Sequence, residues 1–155
     1  MSTEIERRFL VASLPDLSGA EDLTVRQGYL TTLTDSTELR LRQMGTRFYL
    51  TQKGGAGLVR SEREAEISEG QFAIFWPATE GHRVEKTRWR GSLADGVIFE
   101  FDQFEGALSG LQLVEVEFAS TTAAETFVPP AWFGGEITED PRYGNKWMAE
   151  HGLPD

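Results

Sequence analysis

The sequence predicts an α+β domain, mainly antiparallel β with a few short helices, and three observations carry that prediction. Charged and apolar residues alternate with period two in one segment after another, Gly-containing turn signals separate the segments, and only a few stretches have helical spacing. Successive side chains of a strand point to opposite faces, so each alternating set gathers its charges on one side. The chain has 155 residues, 39% hydrophobic and 26% charged. That is enough apolar material for one core, and the whole of 1–155 is expected to form a single domain.

The strands follow in order. Glu4, Glu6 and Arg8 interleave with Ile5 and Arg7 ahead of Phe9-Leu10-Val11. Glu38, Arg40 and Arg42 alternate with Leu39 and Leu41, and Tyr49, Thr51 and Lys53 lie opposite Phe48 and Leu50. Arg60, Glu62, Glu64 and Glu66 form the next set, then Lys86, Arg88 and Arg90. Glu100 and Asp102 flank Phe101, and Glu115 and Glu117 flank Val116. Turns are expected at Gly54-Gly55 with Gly57, at Asp95-Gly96 and at Ser109-Gly110. Roughly seven or eight antiparallel strands result.

Three helices complete the pattern. Ser68 is positioned to cap one that brings Phe72, Phe75 and Trp76 to one face before Pro77. A second spans Thr121 to Phe127, between a Ser120 or Thr121 cap and Pro129-Pro130. The third follows Asp140-Pro141, a cap and first-position pair, and runs through Trp147 and Met148 to Gly152.

Composition narrows the function. There are no cysteines, which removes disulfides, thiolate metal sites and thiol nucleophiles. Lys+Arg 15 against Asp+Glu 25 gives a net charge of −10, which disfavours a surface built for nucleic acid. No basic-then-apolar leader and no long apolar run is present, so a soluble, cytoplasmic protein without a membrane partner is expected.

The charged faces hold Glu4, Glu6, Glu38, Glu62, Glu64, Glu66, Glu100, Asp102, Glu115 and Glu117 beside Arg8, Arg40, Arg42, Arg60, Lys86, Arg88 and Arg90. One such strand is an ordinary solvent-facing surface. Across the sheet, Glu and Arg recur at i, i+2 and arginine outnumbers lysine, as bidentate phosphate contacts require. If the sheet curls with these faces inward, it encloses a channel whose charges are costly unless they bind ions. Carboxylates without Cys and with few His suit a hard cation, Mg²⁺ or Mn²⁺, and the Arg and Lys suit a polyphosphate.

These residues also carry a family resemblance. Glu4-Ile5-Glu6-Arg7-Arg8-Phe9 resembles the N-terminal Glu-x-Glu-x-Lys signature of the CYTH superfamily, the triphosphate tunnel metalloenzymes. Further matching blocks are Arg26-Gln27-Gly28-Tyr29-Leu30, Glu38-Leu39-Arg40-Leu41-Arg42, Thr51-Gln52-Lys53, Glu62 with Glu64, Arg83-Val84-Glu85-Lys86-Thr87-Arg88, Glu100 and Asp102, and Val114-Glu115-Val116-Glu117. A last block runs from Glu139-Asp140 through Arg142-Tyr143 to Asn145-Lys146. The chain is most similar to small single-domain bacterial members.

The resemblance implies an eight-stranded closed tunnel barrel with short helices packed outside. It implies hydrolysis of inorganic triphosphate to pyrophosphate and phosphate with Mg²⁺ or Mn²⁺. Other activities of the family are action on nucleoside or thiamine triphosphates and an adenylyl cyclase reaction; a non-catalytic polyphosphate binder is a further alternative. Glu4, Glu6 and Glu117 would hold a metal, with Asp102 and Glu115, helped by Glu62 or Glu64, holding a second or orienting water. Arg40, Arg42, Lys53, Lys86 and Arg88 would clamp phosphate, joined by Arg60 and Arg26. Arg8 replaces the family's lysine, which in some members, with a tyrosine matching Tyr29, helps activate the nucleophilic water; Tyr29 is therefore a catalytic candidate, and Arg8, a permanent cation, is expected to clamp phosphate rather than accept a proton. Arg26 and Tyr29 have opposite parity, so both reach the interior only if Gly28 forms a bulge. His82 and His151 are expected at the surface, and Phe72, Phe75, Trp76, Trp132, Phe133 and Trp147 are expected to pack helices outside the barrel. A small-molecule triphosphate is the expected partner of a monomer or homodimer.

Overall fold

The computed structural model describes residues 5–56 and 59–155, and side chains outside 55–60. Glu4 and Gly57, and the side chain of Arg60, lie outside the described residues. Nine strands form one sheet: β1 (Ile5–Val11), β2 (Glu21–Tyr29), β3 (Thr37–Met44), β4 (Arg47–Ala56), β5 (Val59–Ile67), β6 (Arg83–Ser92), β7 (Ile98–Glu105), β8 (Gln112–Phe118) and β9 (Phe133–Glu136). Their order is β5-β4-β3-β2-β6-β7-β8-β1-β9, antiparallel throughout.

The sheet departs from the expected eight-stranded closed barrel in two respects. It gains β9, a four-residue strand added to β1. Among the described residues, β5 and β9 are edges, and no ladder joins them. The sheet nonetheless curls. Arg8 on β1 acts electrostatically on Lys86 on β6, although two strands separate them in the sheet order.

Three helices and three apolar clusters complete the fold. Helix α1 (Glu69–Phe75) begins at a capping box between Ser68 and Gln71. Phe72 stacks on Trp76 at 4.9 Å and packs with Leu41 and Phe48 on the outer face. Phe75 is exposed instead of sharing that face. Helix α2 (Thr121–Thr126) has its Ser120 cap bonded to the Ala123 amide. It covers an outer cluster of Phe9, Phe101, Val114, Val116 and Phe118 that includes Phe133 and the flanking Trp132.

The third helix differs from expectation in extent and in place. Asp140 caps a short 3-10 turn at Pro141–Tyr143, Gly144 is extended, and α3 spans only Asn145–His151. Met148 and Ala149 then pack against Tyr29, Val84, Phe104 and Leu113, all of inner-face parity, so α3 stops one end of the channel. Trp147 flanks that cluster rather than the outer wall, stacked on His151 at 4.2 Å.

Of the expected turns, Gly96 and Gly110 have φ of 84° and 99°, the left-handed region that favours glycine. Gly54 and Gly55 instead belong to β4, paired with Ser61 and Arg60. None of the described helices is long and apolar enough to cross a membrane.

Candidate active site

The period-two faces meet on the concave side. In register, Arg8 faces Glu115 and Glu6 faces Glu117 across β1 and β8. Arg88 faces Asp102 and Arg90 faces Glu100 across β6 and β7. Tyr29 faces Arg40 across β2 and β3, Glu38 faces Lys53 across β3 and β4, and Lys53 faces Glu62 across β4 and β5. Paired residues of an antiparallel ladder share a face, so these groups line one wall.

Asp102 is the hub of the β6–β7 half. Its Oδ1 accepts from Arg88 Nε at 2.8 Å, and its Oδ2 accepts from Lys86 Nζ at 2.9 Å and from Arg88 at 3.0 Å. Another Arg88 nitrogen lies 3.1 Å from Glu100. Burial works to raise the Asp102 pKa, but Lys86 and Arg88 outweigh it and hold the carboxyl below its ordinary range. Lys86 is almost fully buried, 5.3 Å from the centre of the Phe104 ring. Burial pushes its ammonium below the ordinary lysine range, and the Arg88 and Arg8 charges press the same way against Asp102. Two cations, Lys86 and Arg88, are matched here by two carboxylates, Asp102 and Glu100. Both Asp102 oxygens accept from cations in this arrangement, so Asp102 anchors Lys86 and Arg88.

Glu115 and Glu6 form a different kind of pair. Burial is the larger influence on Glu115, and the adjacent Glu6 carboxyl adds to it, so the Glu115 pKa rises to about 7. The Arg8 guanidinium lies 3.8 Å from Glu115 and donates to the Tyr143 carbonyl at 2.9 Å. Glu117 is exposed at the rim, beside a cavity of about 250 Å³ that Arg90, Glu100 and Glu115 also line. The oxygen-only donor set at Glu6, Glu115 and Glu117 fits a hard divalent cation, whose charge would relieve the crowded carboxylates. Among the described residues, no group of three His, Cys, Asp or Glu side chains is already gathered around one point.

The β2–β3–β4 wall is built otherwise. Arg40 and Arg42 each have a buried Nε without a hydrogen-bond partner among the described residues. Glu64, on the edge strand, accepts from Thr51 at 2.6 Å and from Arg42 at 3.4 Å. Glu62 is exposed and shares a cavity of about 300 Å³ with Glu38, Lys53 and Lys146. Tyr29 is buried, and its hydroxyl accepts from Gln27 Nε2 at 2.8 Å.

Arg26 is not part of this site. The β2 register runs unbroken from Val25 to Tyr29 against β3, and from Glu21 to Gly28 against β6, with no bulge. Arg26 therefore points outward, with its guanidinium carbon 5.2 Å from the centres of the Phe72 and Trp76 rings. Gly28 serves close packing: a Cβ there would come within 2.6 Å of Thr79 and 2.8 Å of Trp76.

Two side chains of the matching blocks, buried Gln27 and exposed Lys146, had no role assigned from the sequence. Gln27 has the parity of Tyr29, a signal available from i, i+2 spacing alone. Lys146 reaches from α3 to Glu38 at 2.9 Å, a contact with no local signature. His82 pairs with Glu150 at 2.8 Å, outside the charged interior.

An antiparallel sheet curled around ion pairs and unmatched cationic donors defines a tunnel-type β protein with an ionic interior. The chain belongs to the CYTH domain family, whose sequence pattern matches residues 2–128. It is 59% identical over 147 residues to the inorganic triphosphatase of Nitrosomonas europaea, covering 95% of this chain and 97% of that protein. It is 36% identical over 153 residues to the inorganic triphosphatase of Acetivibrio thermocellus, covering 97% and 96% of the two. The crystal structure of the inorganic triphosphatase NE1496 superposes with a TM-score of 0.90 at 55% identity, covering 100% of this chain and 99% of that one.

Proposed function

We propose that this protein is a divalent-metal-dependent inorganic triphosphatase that hydrolyses tripolyphosphate to pyrophosphate and phosphate in its ionic interior. The observation that carries the reading is the buried Nε of Arg40 and of Arg42, each left without an acceptor. A buried donor without a partner is costly, and a polyphosphate oxygen is the acceptor that relieves it. The names of the similar proteins supply the reaction class.

In this reading the geometry of the described residues supports the following roles. Arg40 and Arg42 clamp phosphate oxygens from one wall, and Lys86 and Arg88 from the other, with Lys53 toward the edge and Arg60 as a further candidate. Arg8, tied to Tyr143 and Glu115, adds fixed positive charge. Asp102 leaves the metal set and positions Lys86 and Arg88. Glu6, Glu115 and Glu117, with Glu4, would hold Mg²⁺ or Mn²⁺, with Glu62 or Glu64 of the edge strand as further candidates. Bound there, the ion supplies charge neutralisation to the phosphate chain. Tyr29 donates its O–H to a phosphate oxygen.

Phosphate release from tripolyphosphate, ATP and thiamine triphosphate, each with Mg²⁺, Mn²⁺ or chelator, tests the proposal. Release from tripolyphosphate that chelator abolishes is expected, with little from the organic substrates. Equal turnover of ATP, formation of cyclic AMP, or tight binding without turnover would overturn it.

A further inference from the structure

Gln27 has no place in the reaction outlined above, yet it is a polar side chain only 6% exposed on the inner face of β2. It faces Arg42 across one ladder and Val84 across the other, and its Nε2 lies 2.8 Å from the Tyr29 hydroxyl. A phenol oxygen has one hydrogen to give and lone pairs with which to accept. With the amide as donor, one lone pair is occupied. Arg40, paired with Tyr29 from β3, is the positive charge near the phenol, and Glu38 is the negative one. The Tyr29 O–H itself has no acceptor among the described residues.

We propose that Gln27 is a positioning residue for the reaction. By donating to the Tyr29 oxygen it keeps the phenol from turning its proton into the protein and so commits the O–H to a phosphate oxygen of the substrate. The group acts through Tyr29 and touches no substrate itself. A buried glutamine that merely filled space would be replaceable by any side chain of its volume. This one supplies the direction of a hydrogen bond.

The inference rests on the triphosphatase reading, so the experiment separates the two. Gln27→Met keeps the volume and removes the donor. It is expected to lower kcat for tripolyphosphate about fivefold in the wild-type background, with KM within about twofold, and to lose that effect in Tyr29→Phe. Alkaline ultraviolet titration of the phenol, with the Tyr29→Phe protein subtracted, is expected to show Tyr29 ionising at higher pH in Gln27→Met, because a donor to the phenolate is gone. Gln27→Asn, which retains an amide but is too short to reach, must behave as Gln27→Met does and stands in for it if that variant fails to fold. An equal loss of rate in both backgrounds, or an unmoved Tyr29 titration, would overturn the proposal. Should the wild type fail to cleave tripolyphosphate, the reading of function falls while the titration still decides the coupling.

Discussion

The two walls of the interior carry the same residue types and use them in opposite ways. On the β6–β7 side, Lys86, Arg88, Asp102 and Glu100 are locked to one another in bonds of 2.8 to 3.1 Å. On the β2–β3 side, Arg40 and Arg42 keep buried donors without acceptors. A closed network of buried charges holds its own geometry and is damaged when one member is lost. An open array stabilises little by itself and gains when an anion enters. The lesson is that a charged interior divides its work: one wall holds its cations in a fixed geometry and field, and the other keeps donors open for the guest.

The largest expected effect comes from breaking the closed wall. Asp102→Asn leaves Lys86 and Arg88 buried around a neutral amide, and urea denaturation should show a loss of about 3–5 kcal/mol. The sign with pH follows from the depressed Asp102 pKa. Its stabilisation is present above the ordinary carboxyl value and is lost as pH falls through the lower folded value, so the variant should lack that part of the acid limb.

Next is Glu115, whose pKa stands at about 7 against an ordinary 4.5. For a raised carboxyl, the associated stability is present below the ordinary value and fades as pH rises through the folded one. Metal-free protein should therefore lose up to about 3 kcal/mol between those limits. Glu115→Gln should flatten the slope, and Mg²⁺ should flatten it in the wild type. A pH-independent melting temperature in metal-free wild type would contradict the crowded pair.

The open wall should respond in the other direction. Arg40→Met removes an unmatched donor, so thermal stability should hold or rise slightly. The loss of a charge-assisted bond to phosphate should reduce kcat/KM for tripolyphosphate tenfold to a hundredfold, about 1.5–3 kcal/mol. A large drop in melting temperature would erase the distinction between the walls. The smallest change belongs to Arg26→Met, which should leave KM within about twofold because that side chain lies over Phe72 and Trp76 on the outer face.

Much of this site was legible before any coordinates. Period two is a property of the extended backbone, so Arg8, Arg40, Arg42, Lys86, Arg88 and Glu115 share a wall by parity. The same rule argued against Arg26, and only an assumed bulge at Gly28 drew it inward. Helix starts at Ser68 and Ser120 were readable because a cap is a local bond between near neighbours. The third helix was overextended because Gly144 interrupts what the Asp140-Pro141 signal began.

The sequence by itself determined seven of the nine strands, which face of each is ionic, and that the ionic faces suit metal and phosphate, since these depend on neighbours one to four positions apart. Tertiary structure alone decided that β9 joins β1, that the sheet curls with no ladder between its edges among the described residues, and that α3 stops the channel. It also decided that Asp102 is saturated by cations while Arg40 and Arg42 are not. Those outcomes depend on distances between residues far apart in the chain, and alternating charge is compatible with many such pairings until the whole sheet bends around one interior.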